Sequence, residues 1–226
     1  MLDHPHYVRA MFETYFREAG GRFKGEVKER RAPADARPFA VLESPPLHDI
    51  VRDVNKLSNN VMARQIFLTL ASAEGVSPAT PARAAGTIKR WLAARKLNMP
   101  GLVLENGSGL SRLERNSAAG FNRLLLAAEA SSVREAFASS LAVAAVDGTV
   151  ERRFRNGSVA GQALLKTGSL EGVRALAGYV VDASGRRFTV VAIVNDRNAA
   201  RAGPALDFLV QWVYRYGGSW DPKLQR

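Results

Sequence analysis

The chain has 226 residues, of which 46% are hydrophobic and 23% charged, a composition typical of globular rather than disordered proteins. It contains no cysteine, which excludes disulfides, thiolate nucleophiles and cysteine-based metal sites, and its three histidines are too scattered for a zinc site. The net charge of +11 is typical of proteins that lie next to a polyanion, such as nucleic acid or an anionic cell envelope. The basic residues are spread along the chain without a nucleic-acid-binding motif, however, which favours a solvated basic surface.

The sequence shows neither a membrane-spanning run of apolar residues nor a secretory signal. No apolar run is long enough to cross a bilayer. The start, MLDHPHYVRAMFETYF, lacks a basic region followed by an apolar one, so it is not a signal peptide. Expressed as given, the chain is therefore expected in the cytoplasm.

The first 44 residues are separated from the rest of the sequence by a pair of prolines. An amphipathic helix is predicted over 5–19, and strand-like stretches over 23–28 and 39–42 flank a polar, proline-containing loop. Pro45-Pro46 follows, which makes residue 44 the best candidate boundary in the chain.

The next part of the chain is predicted to be a series of helices. Apolar residues keep a 3.6-residue spacing over 47–57 and resume it over 61–70, with Ser58-Asn59-Asn60 between the two sets. Further helices are predicted over 81–96, 117–129 and 132–143, and a turn at Asp147-Gly148.

The last part is predicted to be a sheet followed by a helix. Leu164 and Leu165 lead a strand into Lys166-Thr167-Gly168, and apolar strands over 175–181 and 188–194 are joined by a hairpin turn. An amphipathic helix over 206–214 closes the chain. The pattern predicts an α/β protein of the α+β type, an antiparallel sheet flanked by helices.

Two short motifs stand out, and each also has a purely structural interpretation. Lys166 could be a strand residue whose ammonium reaches solvent, and Ser58 and Asn60 could merely interrupt or cap a helix. Two further segments, ENGSGLSR and VDGTVERRF, are interpreted as turns, because 107–111 is rich in glycine and serine and 147–149 begins with Asp-Gly.

Together, the four segments NKLSNNVMARQIF, ENGSGLSR, VDGTVERRF and KTGSLEGVRALAGYV resemble the low-molecular-mass (class C) penicillin-binding proteins, which are D-alanyl-D-alanine carboxypeptidases and endopeptidases. The resemblance covers about residues 45 to 215. It implies a β-lactamase/transpeptidase-like fold that is incomplete at its N-terminal side. Residues 1–44 would be the tail of an inserted accessory domain, and 45–226 the C-terminal portion of the penicillin-binding domain.

The resemblance also implies three catalytic residues. The Ser58 hydroxyl would relay a proton to the leaving D-alanine amine. The Asn60 amide would hold the substrate backbone. Lys166 would hydrogen-bond Ser58 and lend positive charge to the pocket for the terminal carboxylate.

Three neighbouring residues would bind the substrate. The hydroxyls of Thr167 and Ser169 would bind the carboxylate, and the Ser169 N–H would supply half of an oxyanion hole. Gly168, without a side chain, would let the substrate lie along the strand edge as an added strand. No cofactor or metal is implied.

The family's nucleophile lies in a Ser-x-x-Lys motif, and none of the serines in these 226 residues has a lysine three positions later. The chain is therefore expected to be the C-terminal part of a longer product or a truncated, inactive paralogue. The resemblance implies a periplasmic or envelope location, with peptidoglycan peptides ending in D-Ala-D-Ala as partners, and β-lactams if the cleft is complete. A non-catalytic cell-wall peptide-binding protein and a basic nucleic-acid-binding protein remain as alternatives.

Overall fold

The computed structural model describes residues 3–75 and 77–217, and the chain divides into two units, residues 1–44 and 45–226. The first unit contains one helix, α1 (His4–Glu18), which is capped by Asp3 accepting from the His6 N–H at 3.0 Å. The strands predicted over 23–28 and 39–42 are wrong, since both stretches are irregular. Neither stretch has a partner strand in the described part of this unit, and an unpaired strand is not stable in water.

Three helices open the second unit, as the apolar spacing predicted: α2 (Leu47–Leu57), α3 (Asn60–Ala73) and α4 (Pro81–Ala94). The side chains of Asn59 and Thr80 cap α3 and α4, because each accepts from the backbone N–H three residues further along the chain. α3 and α4 pack through a small buried cluster formed by Phe67, Ala71, Ala84 and Ala85.

Two more helices precede the sheet, α5 (Ala118–Glu129) and α6 (Arg134–Ser140). The helix predicted to run to residue 143 is wrong in its last part, because α6 ends at Ser140 and a short strand, β1 (Ala142–Val143), follows at once. Ala142 is fully buried and pairs with the sheet, so tertiary packing overrides its helical preference. A single 3-10 turn (Gly148–Val150) follows β1.

The sheet is antiparallel, with its four strands in sequence order: β1, β2 (Ala163–Leu170), β3 (Val173–Val181) and β4 (Arg187–Asn195). The final helix, α7 (Gly203–Tyr216), covers one face and contributes Leu206, Val210 and Val213 to the main core. Helices α5 and α6 cover the other face, where Tyr179 donates its hydroxyl to the Leu125 carbonyl at 2.7 Å. The predicted class, an antiparallel sheet flanked by helices, is confirmed.

The edge of β2 is open over the second half of the strand. β1 pairs only with Leu164 and Leu165, so from Lys166 onward β2 has a partner only on its β3 side within the described ranges. A free strand edge presents unpaired N–H and C=O groups to an extended peptide. No helix in residues 3–75 and 77–217 is long and apolar enough to cross a membrane.

Candidate active-site cleft

Ser58 lies at the bend between α2 and α3. It ends α2 in a left-handed conformation (φ 53°, ψ 45°), and the next residue, Asn59, begins α3 as its cap. The N–H of Asn59 reaches back to the Val54 carbonyl at 3.2 Å, which fixes the bend. A serine in this conformation is uncommon, and here it directs the hydroxyl toward β2, where Lys166 donates to its Oγ atom.

Lys166 is a half-buried cation with neutral partners. Its Nζ donates to Ser58 Oγ and, at 3.2 Å, to the Thr167 carbonyl. Burial lowers the pKa of the Lys166 ammonium, and no carboxylate in the described part of the chain offsets that effect. A cation in this position is stabilised by an incoming anion.

The residues around Lys166 leave room for a ligand. In the strand register, Lys166 and Gly168 share a face of the sheet with Ala175 and Ala177, whose side chains are small. The resulting cleft has a volume of about 540 Å³. Its lining includes all six residues singled out in the sequence: Ser58, Asn60, Lys166, Thr167, Gly168 and Ser169.

The opposite wall is a loop that the sequence suggested was only a turn. Asn60 Nδ2 donates to the Ser108 carbonyl at 2.6 Å, which ties the start of α3 to this loop. Glu114 holds the loop from behind, where its Oε1 accepts from three successive N–H groups, of residues 105 to 107, at 3.0–3.3 Å. Gly107 has φ +69° and approaches Phe67 so closely that a Cβ would lie 2.4 Å from that side chain.

Two residues that shape the cleft were therefore missed from the sequence. Glu114 lies seven to nine residues from its partners, a spacing that corresponds to no familiar motif. Thr149, in the segment interpreted as a turn, lines the cleft and places its Oγ1 2.9 Å from Thr167 Oγ1. The Asp-Gly pair before Thr149 predicts the turn, but it does not predict that the Thr149 side chain lines the cleft.

The arrangement has the chemistry of a receptor for a peptide carboxylate. An ammonium and several hydroxyls surround one end of an open strand edge, and the Lys166–Ser58 hydrogen bond offers a route for a proton. No cluster of metal-ligating side chains occurs among the described residues.

The chain is similar to known proteins along nearly its whole length. A model of the D-Ala-D-Ala carboxypeptidase 3 (S13) family matches residues 1–216. The D-alanyl-D-alanine carboxypeptidase of Actinomadura sp. (strain R39) is 30% identical over 222 residues, which are 94% of this chain and 41% of that protein. Carboxypeptidase DacB of Mycolicibacterium smegmatis is 33% identical over 172 residues, 74% of this chain and 36% of that protein.

The fold is also found in a solved structure. The crystal structure of penicillin binding protein 4 from Haemophilus influenzae, complexed with a β-lactam, matches with a TM-score of 0.79 and 25% identity, over 96% of this chain and 52% of that one. The chain spans between 36% and 41% of the length of the curated relatives. The match over nearly the whole chain shows that the chain belongs to the D-Ala-D-Ala carboxypeptidase 3 (S13) family.

Proposed function

We propose that residues 45–226 form the C-terminal portion of the penicillin-binding domain of a serine-type D-Ala-D-Ala carboxypeptidase/endopeptidase. It acts on peptidoglycan stem peptides in the periplasm or cell envelope, and residues 1–44 are the tail of an inserted accessory domain. The observation that carries this proposal is the Lys166 ammonium, which bonds Ser58 Oγ beside an open strand edge and has no carboxylate partner in the described ranges.

The substrate carboxylate binds at this ammonium. Lys166 supplies the charge, and the hydroxyls of Thr167 and Ser169 donate to the two carboxylate oxygens. Both hydroxyl residues line the cleft next to Lys166. A charge-assisted hydrogen bond of this kind is shorter and stronger than a neutral one, so it selects a peptide with a free C-terminus.

The substrate backbone docks on the free edge of β2. Gly168 leaves this edge without a side chain at the docking position. A Cβ there would lie 3.3 Å from the Ala175 Cβ. Asn60, fixed by its bond to the Ser108 carbonyl, presents the rest of its amide to the peptide from the opposite wall. The N–H of Ser169 supplies one donor to the oxyanion that develops on the scissile carbonyl.

Ser58 and Lys166 move the proton. After attack on the scissile carbonyl, the D-alanine nitrogen needs a proton before the C–N bond breaks. The Ser58 hydroxyl gives its proton to that nitrogen, and Lys166 replaces it through the existing Nζ–Oγ hydrogen bond.

The attacking serine comes from a Ser-x-x-Lys segment that these 226 residues do not contain. That segment supplies the nucleophile for the acyl-enzyme and the second oxyanion donor. A β-lactam, which carries a carboxylate next to a reactive amide, would occupy the same completed cleft. This is supported by the similar penicillin binding protein 4, whose structure is complexed with a β-lactam.

A second candidate function is non-catalytic binding of cell-wall peptides. It is favoured by one observation: the residues proposed for the carboxylate pocket all lie within this chain and line one cleft, and carboxylate binding by itself needs no nucleophile. Nucleic-acid binding has only the net charge of +11 in its favour.

The test is D-alanine release from a peptide ending in D-Ala-D-Ala, by a protein in which this chain is joined to a Ser-x-x-Lys segment of the family. Lys166→Ala should lower the rate about ten- to a hundredfold, the effect of losing roughly 1.5–3 kcal/mol in one charge-assisted contact. Ser58→Ala should mainly lower kcat, because its role is proton transfer in the transition state.

The matched control is Lys89→Ala, which removes an exposed lysine of α4 that does not line the cleft. Each variant is checked for folding by circular dichroism. Wild-type rates in the folded Lys166 and Ser58 variants would show that this cleft is not the active site. Binding without release in every variant would favour the non-catalytic candidate.

A further inference from the structure

Thr149 lies where two walls of the cleft meet. It belongs to the 3-10 turn (Gly148–Val150) between β1 and β2, and its hydroxyl is the partner of Thr167 Oγ1 at 2.9 Å. The side chain is exposed and lines the cleft rather than the core. The Thr149 side chain therefore contributes little to the buried core. Its hydrogen bond to Thr167 beside the cleft indicates a role other than core packing.

An ion pair holds the turn that carries Thr149. Asp147 Oδ2 pairs with Lys56 Nζ at 2.5 Å, and Asp147 Oδ1 accepts from the Val143 N–H at 2.8 Å. The same Lys56 ammonium donates to the Leu141 carbonyl at 3.1 Å. The Lys56 side chain is only 18% exposed, so solvent screens this pair less than a surface pair. The turn is thus fixed to α2, the helix that ends next to Ser58.

Glycine is required next to Thr149. Gly148 has φ +59°, and a Cβ there would lie 2.7 Å from both the Lys56 carbonyl oxygen and the Ala142 Cβ. The turn therefore packs against the last turn of α2 at backbone contact distance. This packing sets the position of Thr149 relative to β2.

We infer that Thr149 is a positioning residue for the terminal carboxylate of the substrate, acting through Thr167. In a hydroxyl pair only one hydrogen lies between the two oxygens. In the structure the Thr167 hydroxyl donates to Thr149 Oγ1, which holds the Thr167 side chain in one rotamer. When a carboxylate binds, both hydroxyls can rotate so that Thr149 donates to Thr167 Oγ1 and the Thr167 hydrogen points at the ligand, and the chain of hydrogen bonds strengthens each member. The inference rests on the proposed function, because it names Thr167 as a carboxylate ligand.

The experiment measures binding of two acetyl-capped D-Ala-D-Ala peptides to the 226-residue chain by calorimetry, one with a free carboxylate and one with a C-terminal amide. Thr149→Val keeps the shape but removes the hydroxyl, and should weaken binding of the acid about two- to tenfold, the effect of one neutral hydrogen bond. Thr149→Ser should restore the affinity. The amide should bind the wild-type and Thr149→Val chains equally, since it lacks the carboxylate that Thr167 serves.

Thr69→Val is the matched control, since Thr69 is an exposed threonine of α3 whose hydroxyl bonds within its own helix. It should leave both affinities unchanged. If Thr149→Val weakens the acid and the amide by the same factor, Thr149 has only a structural role and the inference is wrong. The inference is also wrong if the folded valine variant binds the acid as well as the wild type does.

A second measurement does not depend on any ligand. Three-bond NMR couplings to the Thr167 methyl carbon report its χ1 rotamer. A single rotamer is expected in the wild-type and Thr149→Ser chains, and averaging between rotamers in Thr149→Val. If the acid peptide fails to bind the wild-type chain, the proposed carboxylate pocket is wrong. The couplings then decide whether Thr149 orients Thr167: an unchanged Thr167 rotamer in the valine variant rejects the inference.

Discussion

Lys166 is central to the chemistry proposed for the cleft. Its ammonium is half-buried, its partners Ser58 Oγ and the Thr167 carbonyl are neutral, and burial lowers its pKa below the ordinary value of 10.5. A carboxylate bound beside it would stabilise the protonated form and raise the pKa again. Ligand binding and protonation of Lys166 are therefore linked.

This linkage predicts how binding depends on pH. The ionised acid peptide binds the protonated lysine, so its affinity should be constant between the pKa of the peptide carboxyl and the pKa of Lys166 in the free chain. It should then fall by up to about tenfold per pH unit as the pH rises through that pKa. Calorimetry over a pH series measures the affinity, and NMR of the lysine Nζ follows the titration. The amide peptide, which carries no charge, serves as the control. An acid affinity that stays flat through the titration of Lys166 would contradict the proposed contact.

The cleft residues that could be predicted from the sequence are those that belong to a short local motif. Ser58, Asn60 and Lys166 occur in such patterns, and the fold brings all three to one cleft. Glu114 could not be predicted, because its importance comes from three backbone N–H groups that only the folded loop aligns. Thr149 could not be predicted either, since its partner Thr167 is 18 positions away on another element.

At the scale of elements, the sequence predicted those that bury a regular apolar face. Helices α2, α3 and α7 and strands β3 and β4 have such faces, and their positions are confirmed. The strands expected over 23–28 and 39–42 fail because β-structure needs a partner that local sequence cannot reveal. The open edge of β2 was implied by the family resemblance and not by the local pattern, since it depends on β1 pairing with only two residues.

The hairpin between β3 and β4 depends on Asp182 at its turn. Burial opposes ionisation of this carboxylate, but hydrogen bonds from the Ser184 hydroxyl and the Arg186 N–H and guanidinium outweigh it and lower the pKa of Asp182 to about 2. Because the folded pKa lies below the ordinary 3.8, the ionised group stabilises the fold above about pH 4. That contribution is lost as the pH falls through about 2.

Asp182→Ala should therefore destabilise the chain at neutral pH, and its difference from the wild type should shrink between about pH 4 and pH 2. Urea unfolding followed by circular dichroism at a series of pH values gives the free energies. Asp35→Ala is the control, since Asp35 is exposed in irregular structure, and it should match the wild type throughout. A gap that persists unchanged to pH 2 would mean that packing, rather than the ionised carboxylate, supports the turn.

At the scale of the whole chain, the cleft gathers residues from separated segments: 58–60, 107–110, Thr149 and 166–169, together with apolar residues of α5, β3 and β4. One antiparallel sheet with helices on both faces holds them together. The sheet explains why the proposed carboxylate pocket draws only on residues within 45–226. The proposed acyl transfer additionally needs a nucleophile, and the Ser-x-x-Lys pattern expected to supply it is not among these residues.

The chain by itself is therefore expected to bind but not to react. A fluorescent penicillin incubated with the purified 226-residue chain should leave no label after denaturing electrophoresis, because stable acylation needs a serine activated by a neighbouring base. Ser58, the one cleft serine bonded to a lysine in the described ranges, is proposed to carry a proton rather than to attack. The positive control is the same chain joined to a Ser-x-x-Lys segment, which should be labelled. Label on the chain alone that survives denaturation, and that Ser58→Ala abolishes, would instead make Ser58 a nucleophile.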